Sequence, residues 1–155
     1  MYAYLTYVLA LLIGVTAGLR SLTAPAVVRW AARLGWLHLD NTPLAFLGFA
    51  ATPYILSVLA IVELVADKLP KTPSRTAPPG LIARIVTGGV CGAAFGAPAH
   101  DLIFTGLAGV LGALAGAYRG RDYRVRFAKA FGKDLPVALI EDVIAIGGAF
   151  LICSR

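Results

Sequence analysis

The chain has 155 residues, 59% of them hydrophobic and 14% charged, with a formal net charge of +6 at pH 7 and a mean hydropathy of +0.80. A fold of this length leaves a large share of its surface facing outward, so it could not hide that much apolar area from water; an ordinary soluble domain is excluded and an integral membrane protein is expected. The positive charge would suit nucleic acid, but the basic residues fall in short stretches between apolar segments, where they orient a membrane protein, and no nucleic-acid partner is expected.

The chain opens on "MYAYLTYVLALLIGVTAG", with no basic region ahead of the apolar run and no clear cleavage site. It reads as a retained span rather than a signal peptide. A span needs about 20 apolar residues, and five segments meet that requirement: 2–19, 43–66, 81–97, 101–118 and 136–153. The expected fold is therefore all-α, with about five transmembrane helices in a single membrane domain over residues 1–155.

Arg20 ends the first span directly after an apolar run, so it must snorkel, pair or face an aqueous cavity. With Ser21 and Thr23 it forms a cluster suited either to an anion or lipid phosphate at a helix N-terminus, or to plain interfacial anchoring. The segment that follows, "RSLTAPAVVRWAARLGWLHLD", puts Arg29 and Arg33 on one helical face beside Val28, Trp30, Leu34 and Trp36. It reads as an interfacial or re-entrant helix, capped by Ser21 or Thr23 and with Pro25 in its first turn.

The second span ends in "ELVADKLPKTPSRTAPPG", where the spacing of Glu63 and Asp67 sets two carboxylates on one side of a helix. The prolines after them forbid continuation of the helix. Lys68, Lys71 and Arg75 then lie in a rigid loop, which serves as a connector, a gate or a contact for anionic headgroups. The third and fourth spans are Gly-rich and joined by "GAPAHD", which predicts a tight hairpin. Gly88, Gly92 and Gly96, and Ala108, Gly112 and Gly116, make two smooth faces for close packing, within the chain or across a homo-oligomer.

Glu141 and Asp142 lie about a turn and a half into the fifth span, at a depth similar to Glu63 and Asp67. Ionisable groups at such depth are costly unless paired, hydrated or protonated, which makes them functional candidates. Crowded carboxylates also raise one another's pKa, which suits proton binding or cation coordination. Against this stands a purely structural role, with Asp67 at the surface and Glu63 paired with Arg84 or with a base from the third loop. Cys91 and Cys153 fall in apolar runs and read as packing residues. His38 with Asp40, and His100 with Asp101, do not form a metal motif, and no metal or cofactor is expected. Walker A, His-Glu-x-x-His and Gly-x-Ser-x-Gly patterns are absent from the sequence.

Lys and Arg number three in the first loop, none around 98–100, four in 67–84 and six in 119–134. With five alternating spans, this bias puts the N-terminus in the cytoplasm and the C-terminus outside. "RWAARLG" at 29–35 echoes "RFAKAFG" at 126–132; each follows a span ending in Arg, at Arg20 and Arg119, and precedes one opening with Pro. Either the two are convergent interfacial anchors, or halves 1–66 and 101–155 form an inverted-topology repeat linked by the span at 81–97.

Three stretches, "GLRSLTAPAVVRWAARLGW", "ELVADKLPKTPSRTAPPGLIARIVTGGVCGA" and "LPVALIEDVIAIGGAF", resemble a family of small bacterial inner-membrane proteins known only as a domain of unknown function. The resemblance covers nearly the whole chain. It implies a multi-span protein of the bacterial inner membrane and brings no activity with it.

The residues themselves favour a small transporter or channel for a small solute or ion, proton- or cation-coupled and assembled as a homo-oligomer in the lipid bilayer. Its binding residues would be Glu63, Asp67, Glu141, Asp142, Arg20, Ser21 and Arg119. Two alternatives stand beside it. One is a membrane enzyme acting on a lipid or isoprenoid phosphate through carboxylate-held Mg²⁺; the other is a lipid-binding scaffold that transports nothing.

Overall fold

The structure is a computed structural model and describes residues 3–39, 42–48, 50–69, 74 and 76–155; Asp40, Lys71 and Arg75 lie outside these. Six α-helices follow in order: α1 Ala3–Leu19, α2 Thr23–Arg33, α3 Thr52–Ala66, α4 Pro78–Gly96, α5 Leu102–Phe131 and α6 Asp134–Cys153. No strand occurs among the described residues. Helices α5 and α6, and α4 with the 3₁₀ turn that extends it to Ala99, are long and apolar enough to cross a membrane; α1 and α3 are shorter apolar helices. Large apolar side chains point outward, among them Val58, Ile61, Val62 and Val65 on α3. This all-α, membrane-type architecture agrees with the composition.

Two span boundaries differ from the sequence expectation. The segment 43–66 is split into a short 3₁₀ helix, Pro43–Gly48, and α3. Pro53 sits in the first turn of α3, where its missing N–H costs nothing, but a helix continuing through it from 43 would place its ring against the carbonyl one turn earlier. The fourth span does not stop at 118. Its helix α5 runs 30 residues to Phe131, about 45 Å, before Gly132 ends it with φ +68°.

Glycine lets three helices meet backbone to backbone. A Cβ on Gly14 of α1 would stand 2.1 Å from the Gly109 carbonyl oxygen of α5, and one on Gly109 would stand 2.1 Å from the Gly88 oxygen of α4. Gly88 and Gly92 of α4 face Gly109, whereas Gly112 and Gly116 turn to Leu11 and Val15 of α1. Both smooth faces are thus used within one chain. The same contacts give direction, because Gly14 meets Gly109 and Gly18 meets Ala113 and Ala117, which makes α1 parallel to α5; Gly88 meets Gly109 and Gly96 meets Thr105, which makes α4 antiparallel.

Helix α2 doubles back from the end of α1. Its first turn touches Glu63 late in α3, while Trp30 reaches Ser57 two turns earlier, so α2 runs antiparallel to α3. Val27, Val28 and Ala31 are buried in one core with Ile13, Phe95 and Ala149. The segment is therefore folded back on α1 and largely buried in the bundle.

That return corrects the alternation of five spans. The ends of α1 and α3 should have lain on opposite sides, yet Arg20 pairs with Asp67, so both helices end at one level. Helix α2 accounts for the return, since it runs back from the end of α1 alongside α3. The proposed halves also differ in direction. α1 and α5 are parallel, α1 and α3 end together, and α5 and α6 form a hairpin across Gly132 and Lys133. Copies related by inversion would have opposed α1 and α5. Locally the echo survives as helix ends, since Gly35 and Gly132 both take positive φ, +78° and +68°.

Candidate functional site

The residue after α1 is the hub of a charged layer. Arg20 is wholly buried, and its Nε donates to Asp142 Oδ1 at 2.7 Å. Nη2 lies 2.5 Å from the same oxygen, and Nη1 lies 2.5 Å from Asp67 Oδ2. Each carboxylate is shared with a second base. Lys68 Nζ stands 2.5 Å from Asp142 Oδ2 and also donates to the Leu64 carbonyl at 2.9 Å. Arg124 pairs with Asp67 through Nη1, and holds Asp134 by two bonds, Nε to Oδ1 at 2.9 Å and Nη2 to Oδ2 at 2.6 Å.

Sequence position explains how these groups converge. Leu19 closes α1, so Arg20 emerges where the backbone turns and can point across the bundle. Asp67 is the C-cap of α3 and Lys68 follows it. Asp142 is eight residues into α6, about 12 Å from its start, which brings an antiparallel helix to the same level. Burial opposes the charge on Arg20, and the Asp67 and Asp142 carboxylates in contact with it compensate. Such a layer is costly to desolvate and very costly to leave half-made.

Glu63 answers a different demand. The N-terminus of α2 has free N–H groups and no capping side chain of its own, for neither Ser21 nor Thr23 fills that role. Glu63 Oε1 accepts from the Ser21 N–H at 2.8 Å and from the Ser21 hydroxyl at 2.6 Å, and Oε2 accepts from the Leu22 N–H at 2.8 Å. The anion expected at this helix end is thus supplied by the chain itself, and the positive end of the helix dipole stabilises it. The Thr23 hydroxyl has no hydrogen-bond partner among the described residues.

Of the predicted residues, Arg20, Asp67 and Asp142 form the layer, and Ser21 with Glu63 forms the adjoining cap. Glu141 is half-buried and acts on Arg20 through space. Arg119 is exposed on α5 and lies outside the layer. Arg84, offered as a partner for Glu63, instead donates to the Gly18 carbonyl at 3.0 Å and the Gly80 carbonyl at 3.1 Å. Arg124 went unrecognised because its only signal was one base among six in 119–134.

At the opposite end, Asp101 accepts from the Tyr7 hydroxyl, and no group of three His, Cys, Asp or Glu suited to a metal occurs among the described residues. A cavity of about 360 Å³ opens between α5 and α6 and is lined by Leu19, Tyr123, Phe127, Val137 and Ile140, with Arg124 and Glu141 also on its wall. A family model described as "Domain of unknown function (DUF4126)" matches residues 7–154. No curated protein and no solved structure matches the chain.

Proposed function

Since the chain belongs to the DUF4126 family, whose description names no activity, we propose from its own residues that it is a multi-pass protein of the bacterial inner membrane that moves a small solute or ion, with the Arg20 layer closing one mouth. The observation that carries this reading is a guanidinium with no exposed surface, shared between a carboxylate on α6 and one at the end of α3.

Helix α3 lies at the edge of the bundle, and beside the Trp30–Tyr54 ring contact much of what ties it there is polar: Glu63 on the start of α2, Asp67 on Arg20 and Arg124, Lys68 on Asp142, and Ser57 under Trp30. Contacts of this kind exchange partners where a packed apolar seam would not. A proton or cation reaching Asp67 or Asp142 competes with Arg20 and Lys68 for the same oxygens and loosens α3, which would couple ion binding to opening. The enzyme alternative is less well supported, because Mg²⁺ would need carboxylates that here already hold two bases each.

Orientation follows from charge. Lys68, Arg84 and the basic end of α5 lie at the level of Arg20 or beyond it, so the positive-inside tendency puts that end in the cytoplasm. The start of α1 and the end of α6 are then outside, in place of the expected cytoplasmic N-terminus.

Proteoliposomes test the transport reading. Proton flux is followed with an internal pH-sensitive dye, and solute flux by swelling in a panel of small anions and polyols. Wild-type protein should exceed protein-free vesicles, and Asp142→Asn should turn gated flux into leak. No flux above the blank for either protein overturns the proposal.

A further inference from the structure

The cytoplasmic end of the α5–α6 hairpin carries a surface that transport does not use. About 45 Å of α5 exceeds the 30 Å or so of a hydrocarbon core. Its last stretch, 119–131, therefore continues to the headgroup region. On it Tyr123, Phe127 and Phe131 stack in a row with ring centroids 6.4 and 6.5 Å apart, each at least half exposed. A row of three uncovered rings calls for an apolar neighbour. Beside it lies the groove of about 360 Å³ between α5 and α6, whose wall is mostly apolar.

Charge decides what kind of apolar neighbour fits. Arg119 and Arg126 are exposed, and helical spacing sets them on the strip next to Tyr123. Lys129 and Lys133 extend the basic surface, and Asp122 opposes it. Arg124, on the wall of the groove, is already engaged by Asp67 and Asp134, so recognition of a headgroup falls to the exposed arginines.

We propose that this groove is a binding site for an anionic phospholipid of the cytoplasmic leaflet, one acyl chain lying against Tyr123, Ile140 and Ile144 and the phosphate meeting Arg126 and the outward-reaching side chain of Arg119. An apolar tail joined to a negative head is the chemistry that satisfies the rings and the guanidinium groups together. The site does not depend on transport, and a chain that moves nothing would still carry it.

Native mass spectrometry of the full chain in detergent, with phosphatidylglycerol or phosphatidylcholine added at equal concentration, tests the assignment. Phosphatidylglycerol adducts should persist to higher collision energy. Arg119→Gln and Arg126→Gln should each weaken their retention about fivefold. Ile140→Trp, which fills the groove, should reduce adducts of both lipids, and thermal unfolding confirms that each variant is folded. Equal retention of the two lipids, or retention of phosphatidylglycerol unchanged in folded Arg119→Gln and Arg126→Gln, overturns the proposal. Loss of flux in proteoliposomes with adducts intact would instead count against the gate alone.

Discussion

At the scale of single residues, Arg20 shows how a membrane protein tolerates a charge at depth. Its three guanidinium nitrogens face two carboxylates, and each carboxylate keeps a second base within reach, so the layer stays near neutrality. Removing a buried partner leaves charge uncompensated, whereas removing an exposed one costs little. Asp142→Asn should therefore destabilise the folded protein by roughly 3 kcal/mol. Asp134→Asn, whose side chain is 54% exposed, should cost under about 1 kcal/mol. Thermal or denaturant unfolding in detergent measures both, and equal small losses would show the layer to be an incidental contact.

Among elements, the glycines of α1, α4 and α5 set interhelical distance. A methyl group at Gly109 would meet the backbone of Gly88 and Gly92, which cannot rotate aside as a side chain could. Gly109→Ala should cost at least about 3 kcal/mol, the upper part of the overpacking range. Gly147 on α6 has open space where its Cβ would be, so Gly147→Ala should be neutral or stabilising by up to about 1 kcal/mol, through helix propensity alone. The same unfolding assay compares the pair. The small-residue faces were visible in the sequence as four-residue repeats, but their partners were not. Spacing defines a face, and it does not say that Gly112 looks at α1 while Gly88 looks at Gly109.

For the whole molecule, the folded-back α2 changes the direction of everything before α3. With α1 and α3 ending together, the start of α1 and the end of α6 lie on the side away from 119–133. Engineered cysteines in a background lacking Cys91 and Cys153 check this. Tyr4→Cys and Arg155→Cys should react with a membrane-impermeant maleimide on spheroplasts, and Lys129→Cys only after permeabilisation. Reaction of Tyr4→Cys only after permeabilisation would restore the strict alternation of five spans.

Read along the chain alone, composition already shows a helical protein of membrane type, roughly where its apolar helices fall, and which acids and bases sit beside apolar runs, because hydrophobicity, proline positions and charge are properties read one residue or one turn at a time. Glu63, Asp67, Asp142, Arg20 and Ser21 were all legible in this way. That they satisfy one another, that Glu63 caps α2 while Asp67 serves Arg20, and that Arg124 belongs with them and Arg119 does not, emerges from how the helices pack. Those outcomes depend on helix direction and depth, and both turn on one short break after Leu19 whose return path no periodicity records.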